Sequence, residues 1–419
     1  MQPPVRSCAT PPGTWGPRHG LSCIARPAHW AWNARVAPPY MDRRHALSLR
    51  VVPATGVRSG RDAMRVADIA ALKEAFDRQA VVCGEMGAPF TARLNRVLGE
   101  RLDDTTALGR RVVGWPQATL RGDLVPLRCC AALNFKVRGG VAPALARLYP
   151  PHAAASDAAL WDAIADTIAR HDASLAAFLD SPPQTNEVAR SGVLLAGFLS
   201  IAAATGMPLA LFELGASAGL NLMFDRYAFD LGEGRTWGPA AADVRIPCVW
   251  TGDAPSLATP IDVVSRAAVD LRPISASDAQ DRERLLAYIW PEQTERVQRI
   301  EAALGMLAAE HVTVEADDAV AWAKRRLAEP QAERTCRVVY HSVFLQYLPQ
   351  EARQALRAVL ESAGAAATNA RPFAWLAMEA APDTPMTCQL TLRVWPSGER
   401  RVLAQVDWHG KWARFPASS

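Results

Sequence analysis

The chain has 419 residues, half of them hydrophobic, which is enough for more than one core. Its 42 arginines against four lysines, in an alanine-rich composition, read as a coding bias rather than a design for binding anions. Of the net charge of +4, residues 1–60 hold +7 (eight arginines against Asp42), leaving −3 elsewhere and no basic footprint for nucleic acid.

Residues 1–63 carry nine prolines, scattered tryptophans and no period of 2 or 3.6, so disorder is expected there. An arginine-rich, acid-poor start resembles a transit peptide. The favoured alternative is a start placed too far upstream, because Met64 opens a well-patterned helix, Val66 to Ala80. Residues 64–206 read as a helical domain or lid: Leu160, Ile164, Ile168, Leu175 and Phe178 recur at helical spacing between proline and glycine breaks. Ser181, Pro182 and Gln184 look like a capped helix start, with the helix running to about Ala204.

Residues 207–415 change texture to short apolar strands alternating with helices, the pattern of a mostly parallel sheet covered on both faces. Strands are expected at Leu209–Glu213, Ala267–Asp270, His311–Glu315, Arg337–His341 and Phe373–Glu379. Helices fall at Arg282–Leu307, Ala319–Ala328 and Gln350–Ser362. Two last strands, Cys388–Trp395 and Arg401–Trp408, flank a Pro396-Ser397-Gly398 hairpin turn. The fold class is therefore α/β.

Glu213, Gly215, Ser217 and Gly219 follow an apolar strand and lead into an expected helix, Leu220–Tyr227. Glycine at 215 permits a turn that no side chain allows, and Ala216, Ser217 and Ala218 let a ligand approach the backbone. The spacing is ExGxSxG; it resembles the ExGxGxG turn that cradles the amino-acid end of S-adenosylmethionine, with serine for the middle glycine. With the five crossover strands and the final hairpin, this resembles the methyltransferase variant of the Rossmann plan. Asn221 is a lesser candidate in the same turn. The same letters spell GxSxG, a hydrolase nucleophile elbow, with Ser217 as nucleophile and Asp383 or Asp407 and His409 downstream. The elbow normally follows several strands, whereas the preceding residues here read helical.

Asp270 closes the second strand, where an acid can accept from both ribose hydroxyls or simply cap the turn before Pro273. Asp317 and Asp318 end the third strand; one can cap the next helix and the other can receive an adenine amino group, although capping explains both. His341 and Ser342 end the fourth strand, at the sheet edge where open α/β sheets bind ligands. His341 suits a general base, or a hydrogen-bonded structural histidine equally well.

Five separated segments, QTNEVARS at Gln184, ELGASAGLNL at Glu213, VDLRPI at Val269, IWPEQTER at Ile289 and HSVFLQYL at His341, resemble the bacterial family called domain of unknown function 2332. That resemblance spans Val66 to Trp408 and implies a methyltransferase-like fold with S-adenosylmethionine as cofactor and no assigned acceptor. It draws attention to Gln184, Thr185, Asn186, Glu187 and Arg190 as a polar cluster that closes over cofactor or substrate, or that merely caps a helix. A non-catalytic binding protein of the same fold is a further alternative.

Eight cysteines, at 8, 23, 83, 129, 130, 248, 336 and 388, show no CxxC pair and no zinc spacing, so no metal is expected and a reducing cytoplasm is. No stretch approaches the ~18 consecutive apolar residues of a membrane span. The expected partner is a small molecule, not nucleic acid or a membrane.

Overall fold

The computed structural model describes residues 69–152, 156–382, 384 and 387–417. The expectations for residues 1–63, the first residues of the Val66–Ala80 helix, Cys8, Cys23 and Asp383 lie outside them. Helical spacing of apolar residues, cut by proline and glycine, gives α1 (Ile69–Glu85), α2 (Pro89–Arg101), α3 (Ala107–Val113), α4 (Val125–Arg138), α5 (Pro143–Ala146) and α6 (Asp157–Phe178). Their buried faces, including Phe76, Leu98, Leu133, Ile164 and Leu179, make a core of their own. The next helix, α7 (Ser191–Thr205), belongs elsewhere: Val193, Leu194, Phe198 and Ile201 are buried in the core of the sheet. The change of core therefore falls between Leu179 and Val188 rather than at residue 206. By length and composition Val188–Thr205 could cross a membrane, but 72% of it is buried within the protein, as befits a core helix.

The remaining chain folds as β1 (Leu209–Leu214), β2 (Ala228–Asp230), β3 (Thr236–Trp237), β4 (Arg245–Pro247), β5 (Val249–Thr251), β6 (Val263–Asp270), α8 (Ala279–Ala287) and α9 (Thr294–Ala309). It continues as β7 (Glu315–Ala316), α10 (Ala319–Ala328), β8 (Cys336–Ser342), α11 (Gln350–Ala365), β9 (Phe373–Ala380), β10 (Cys388–Trp395), β11 (Glu399–Val406) and β12 (Trp412–Arg414). Among the described residues the main sheet has nine strands in the order β5-β12-β11-β10-β9-β8-β1-β6-β7. The strands β7, β6, β1, β8 and β9 run parallel, and β10 and β11 return antiparallel. Because β1 sits in the middle, the chain winds outward to β6 and β7 and then back across to β8 and β9. The winding direction thus reverses between β1 and β8, and the carboxyl ends of the strands at such a reversal, the crevice of an open sheet, are where these folds take ligands. One face is covered by α7, α8 and α9, the other by α10 and α11.

Several expected elements change. The stretch Ser181–Glu187 is irregular, and helix begins only with a 3-10 turn at Val188–Arg190. The expected Arg282–Leu307 helix is two helices, α8 and α9, because Pro291 interrupts the pattern and Asn134 takes the free carbonyls of Ala287 and Ile289 at 3.0 and 3.2 Å. The helix after the glycine turn is 3-10, Leu220–Arg226, with Met223 out of helical geometry. The Leu220 carbonyl accepts from the Tyr227 hydroxyl at 2.6 Å and the Leu222 carbonyl from Arg266 at 2.9 Å, so side chains consume bonds that an α-helix needs. The third strand shrinks from His311–Glu315 to two residues. A small sheet, β3-β2-β4, was not expected.

Candidate functional site

An apolar strand followed by small residues brings β1 to the crevice as a tight turn. Gly215, Ser217 and Gly219 have φ of +66°, +56° and +86°. A Cβ at Gly215 would lie 2.2 Å from the Phe344 ring, so glycine is required there both by the backbone and by a side chain arriving from the β8 loop. Ser217, in the left-handed region without being glycine, stores strain. It is 7% exposed, and its hydroxyl has no hydrogen-bond partner among the described residues.

The turn is held from three sides. Asp270, at the end of β6, accepts from the Ser217 amide at 2.8 Å and the Arg272 amide at 2.9 Å. The side-chain oxygen of Asn186 accepts from the amides of Ala218 at 3.2 Å and Leu220 at 3.0 Å. Beneath lies Glu213, fully enclosed: Tyr340 donates its hydroxyl to it at 3.1 Å and Asn221 donates as well. Asn221 in turn accepts from Ser191 at 2.7 Å. Burial pushes the Glu213 carboxyl up to about 8 against those donors, with the charge of Asp270 adding to the rise. Glu213 and Asn221 therefore support the turn from within rather than lining its open side.

Across the crevice, β8 ends at His341 and Ser342, and Val343 adopts φ +52°, a rare strain for a β-branched residue. His341 is wholly buried. The indole N–H of Trp375 can only donate, and it reaches His341 Nε2 at 3.0 Å; that fixes the proton on Nδ1, which donates to Glu379 Oε1 at 2.6 Å. Both ring nitrogens are thus engaged within the protein, the arrangement of a hydrogen-bonded structural histidine. Glu379 also accepts from the amides of Phe344 at 2.9 Å and Leu345 at 3.3 Å, so it anchors the β8 loop as Asp270 anchors the β1 turn. The carbonyl of Ser342 accepts from Arg190 at 3.3 Å.

The polar segment before α7 meets this site throughout its length. Gln184 donates to Asp270 at 3.5 Å and to the Arg272 carbonyl at 3.0 Å. Thr185 lies half-buried between Gln184 and Asn186. Glu187 pairs with Arg296 at 2.5 Å. Burial opposes its charge, but Arg296, then His409, and the Ala189 amide hold the Glu187 carboxyl below the usual range. Arg190 also reaches the Trp408 carbonyl at 3.0 Å. Glu187 caps the 3-10 turn by accepting from the Ala189 amide at 3.2 Å, and the cluster as a whole ties the ends of β1, β6, β8 and β11 together. Asp317 stands at the edge of the group: its carboxylate, held low by Arg325 at 2.6 Å and by the Asp318 amide, faces α10, while its own amide donates to the Asp270 carbonyl at 3.2 Å. Asp318 is the residue that caps α10.

Among the described residues Ser217 forms no serine-histidine pair. Ser217 has no histidine partner, Asp407 uses a side-chain oxygen on the amides of His409 and Lys411, and His409 faces Glu187. Sequence reading missed Trp375, Glu379, Tyr340 and Arg296 as members of this group. The alternation of β9 that points Trp375, Ala377 and Glu379 to one side was the available signal. The IWPEQTER segment also resolves into structure: Glu292 accepts from the Thr91 amide at 2.7 Å and hydroxyl at 2.8 Å, capping α2, while Arg296 reaches Glu187.

A family model described as "Uncharacterized protein conserved in bacteria (DUF2332)" matches residues 73–415. The chain belongs to that family. No curated protein and no solved structure matches the chain. The family match covers all five segments singled out in the sequence, the helical part as well as the sheet.

Proposed function

We propose that the chain is a methyltransferase of Rossmann-like type that binds S-adenosylmethionine at the carboxyl ends of β1 and β6. The observation that carries this reading is the glycine turn itself. Three alternate left-handed positions, 215, 217 and 219, leave β1 at the place where winding reverses, and the acid ending the neighbouring parallel strand reaches into the turn. In the proposed complex the turn amides meet the amino-acid end of the cofactor, Asp270 meets the ribose, and the backbone around Asp317 borders the adenine. Phe344 and Ser342 close the far side, where the methyl acceptor enters. With His341 engaged at both nitrogens, transfer relies on holding the nucleophile in line with the sulfonium, which needs no base from the protein when the acceptor is already nucleophilic.

Calorimetric titration of the purified protein with S-adenosylmethionine and with its demethylated product tests the reading. Saturable binding of both supports it, and absence of binding for both removes it.

A further inference from the structure

Residues 181–190 run across the carboxyl edge of the sheet, and their two ends are fixed differently from their middle. At one end Tyr288 donates its hydroxyl to the Ser181 carbonyl at 2.8 Å. At the other, the buried Glu187–Arg296 pair and the two Arg190 bonds pin the chain to α9, β8 and β11. Gly410 seats its loop directly on this end, since a Cβ there would lie 2.2 Å from the Ala189 carbonyl oxygen. Between these anchors, residues 182–186 have no regular structure and reach the site through the side chains of Gln184 and Asn186.

Those two side chains use the groups that the cofactor reading assigns to the ligand. Asn186 places a neutral oxygen on the Ala218 and Leu220 amides, where a ligand carboxylate oxygen would accept. Gln184 offers an N–H to the Asp270 carboxylate, where a ribose hydroxyl would donate. Donor stands for donor and acceptor for acceptor, so the Ala218 and Leu220 amides and the Asp270 carboxylate keep partners in either state. Asn186 holds φ +37° to make its contact, a strain that release would relieve.

We propose that residues 182–186 form a strap that occupies the cofactor cradle from within the chain and is displaced when an adenosyl amino-acid ligand enters. The proposal rests on the cofactor reading above. Apparent affinity is the intrinsic affinity reduced by the fraction of molecules with the cradle open, so removing the strap's side chains raises it. The pinned ends keep the displaced strap beside the crevice, ready to return after release.

The test is calorimetry of S-adenosylhomocysteine with the full chain and with Gln184→Ala/Asn186→Ala, alongside hydrogen exchange of the wild-type peptide spanning 184–190 with and without ligand. The strap predicts roughly tenfold tighter binding by the double variant. It also predicts faster wild-type exchange at 184–187 once ligand is bound. Equal or weaker binding by a folded double variant, together with unchanged or slower exchange in the wild type, overturns the strap while leaving the cofactor reading in place. If the variant does not fold, the wild-type exchange decides alone. Binding by neither protein removes the cofactor reading and the strap with it.

Discussion

The two loops that border the crevice are built on one plan and finished differently. Each leaves a central parallel strand through left-handed residues, Gly215 and Ser217 after β1 and Val343 after β8. Each is held by a carboxylate from the outer neighbouring strand, Asp270 from β6 and Glu379 from β9. Glu379, however, shares its oxygen with a fully buried histidine that an indole locks from the other side. Asp270 shares its oxygens with the backbone and with a glutamine on an irregular segment. The difference separates a loop held by a buried side-chain pair from one held by backbone amides and a half-buried glutamine, the contacts that the proposed strap would exchange.

The sharpest way to break that division is Glu379→Ala. It leaves the Nδ1–H of His341 and two loop amides without their acceptor, and should cost about 3 kcal/mol or more of stability in urea melts. Ligand affinity of the folded fraction should stay near wild type; a protein as stable as wild type that no longer binds ligand would reverse the roles of the two loops.

Next in size is the titration of Glu213, which underlies the exchangeable turn. Its folded pKa, about 8, lies above the ordinary carboxyl value of 4.5, so the folded state keeps a proton that the unfolded chain releases. Stability from this group is greatest below the unfolded value and falls as pH rises from there to about 8. The total is on the order of a few kcal/mol. Glu213→Gln should flatten that slope in melts run from pH 5 to 8, and an unchanged slope would count against a protonated Glu213.

Asp270→Ala addresses the other half of the comparison. Losing hydrogen bonds to a charged acceptor, worth about 1.5 to 3 kcal/mol each, should weaken cofactor binding more than tenfold by calorimetry. Its effect on stability should be smaller than that of Glu379→Ala, since Ser217 is buried but its other partners, Gln184 and Arg272, are half-buried and exposed. Smallest is Ser217→Gly: relief of left-handed strain offsets the added freedom of the unfolded chain, so stability should stay within about 1 kcal/mol of wild type. Binding should survive. Covalent labelling of wild type by a fluorophosphonate, lost in this variant, would instead favour the hydrolase reading.

The parallel sheet was legible because its strands are continuous apolar runs ending in acids or polar groups, as at Phe212-Glu213 and Val269-Asp270. The glycine turn was legible from spacing for the same reason that it forms: only small residues fit beneath Phe344 and tolerate positive φ. The segment 181–190 was misread because Ser-Pro-Pro-Gln satisfies local capping rules, whereas its conformation is set by Asp270, Arg296 and Trp408, all distant in sequence. His341 was ambiguous because its two partners arrive from β9, and a histidine alone does not announce what will fill its nitrogens. Small strands such as β3 and β12 escaped because two or three residues carry no period.

If the β1 side of the crevice takes S-adenosylmethionine as proposed, ultraviolet cross-linking of the radiolabelled cofactor reports the place as well as the binding. Label is then expected within peptides spanning residues 213–227 or 340–348, abolished by excess S-adenosylhomocysteine. Competable label confined to any other part of the chain, or no competable label at all, would contradict the proposal.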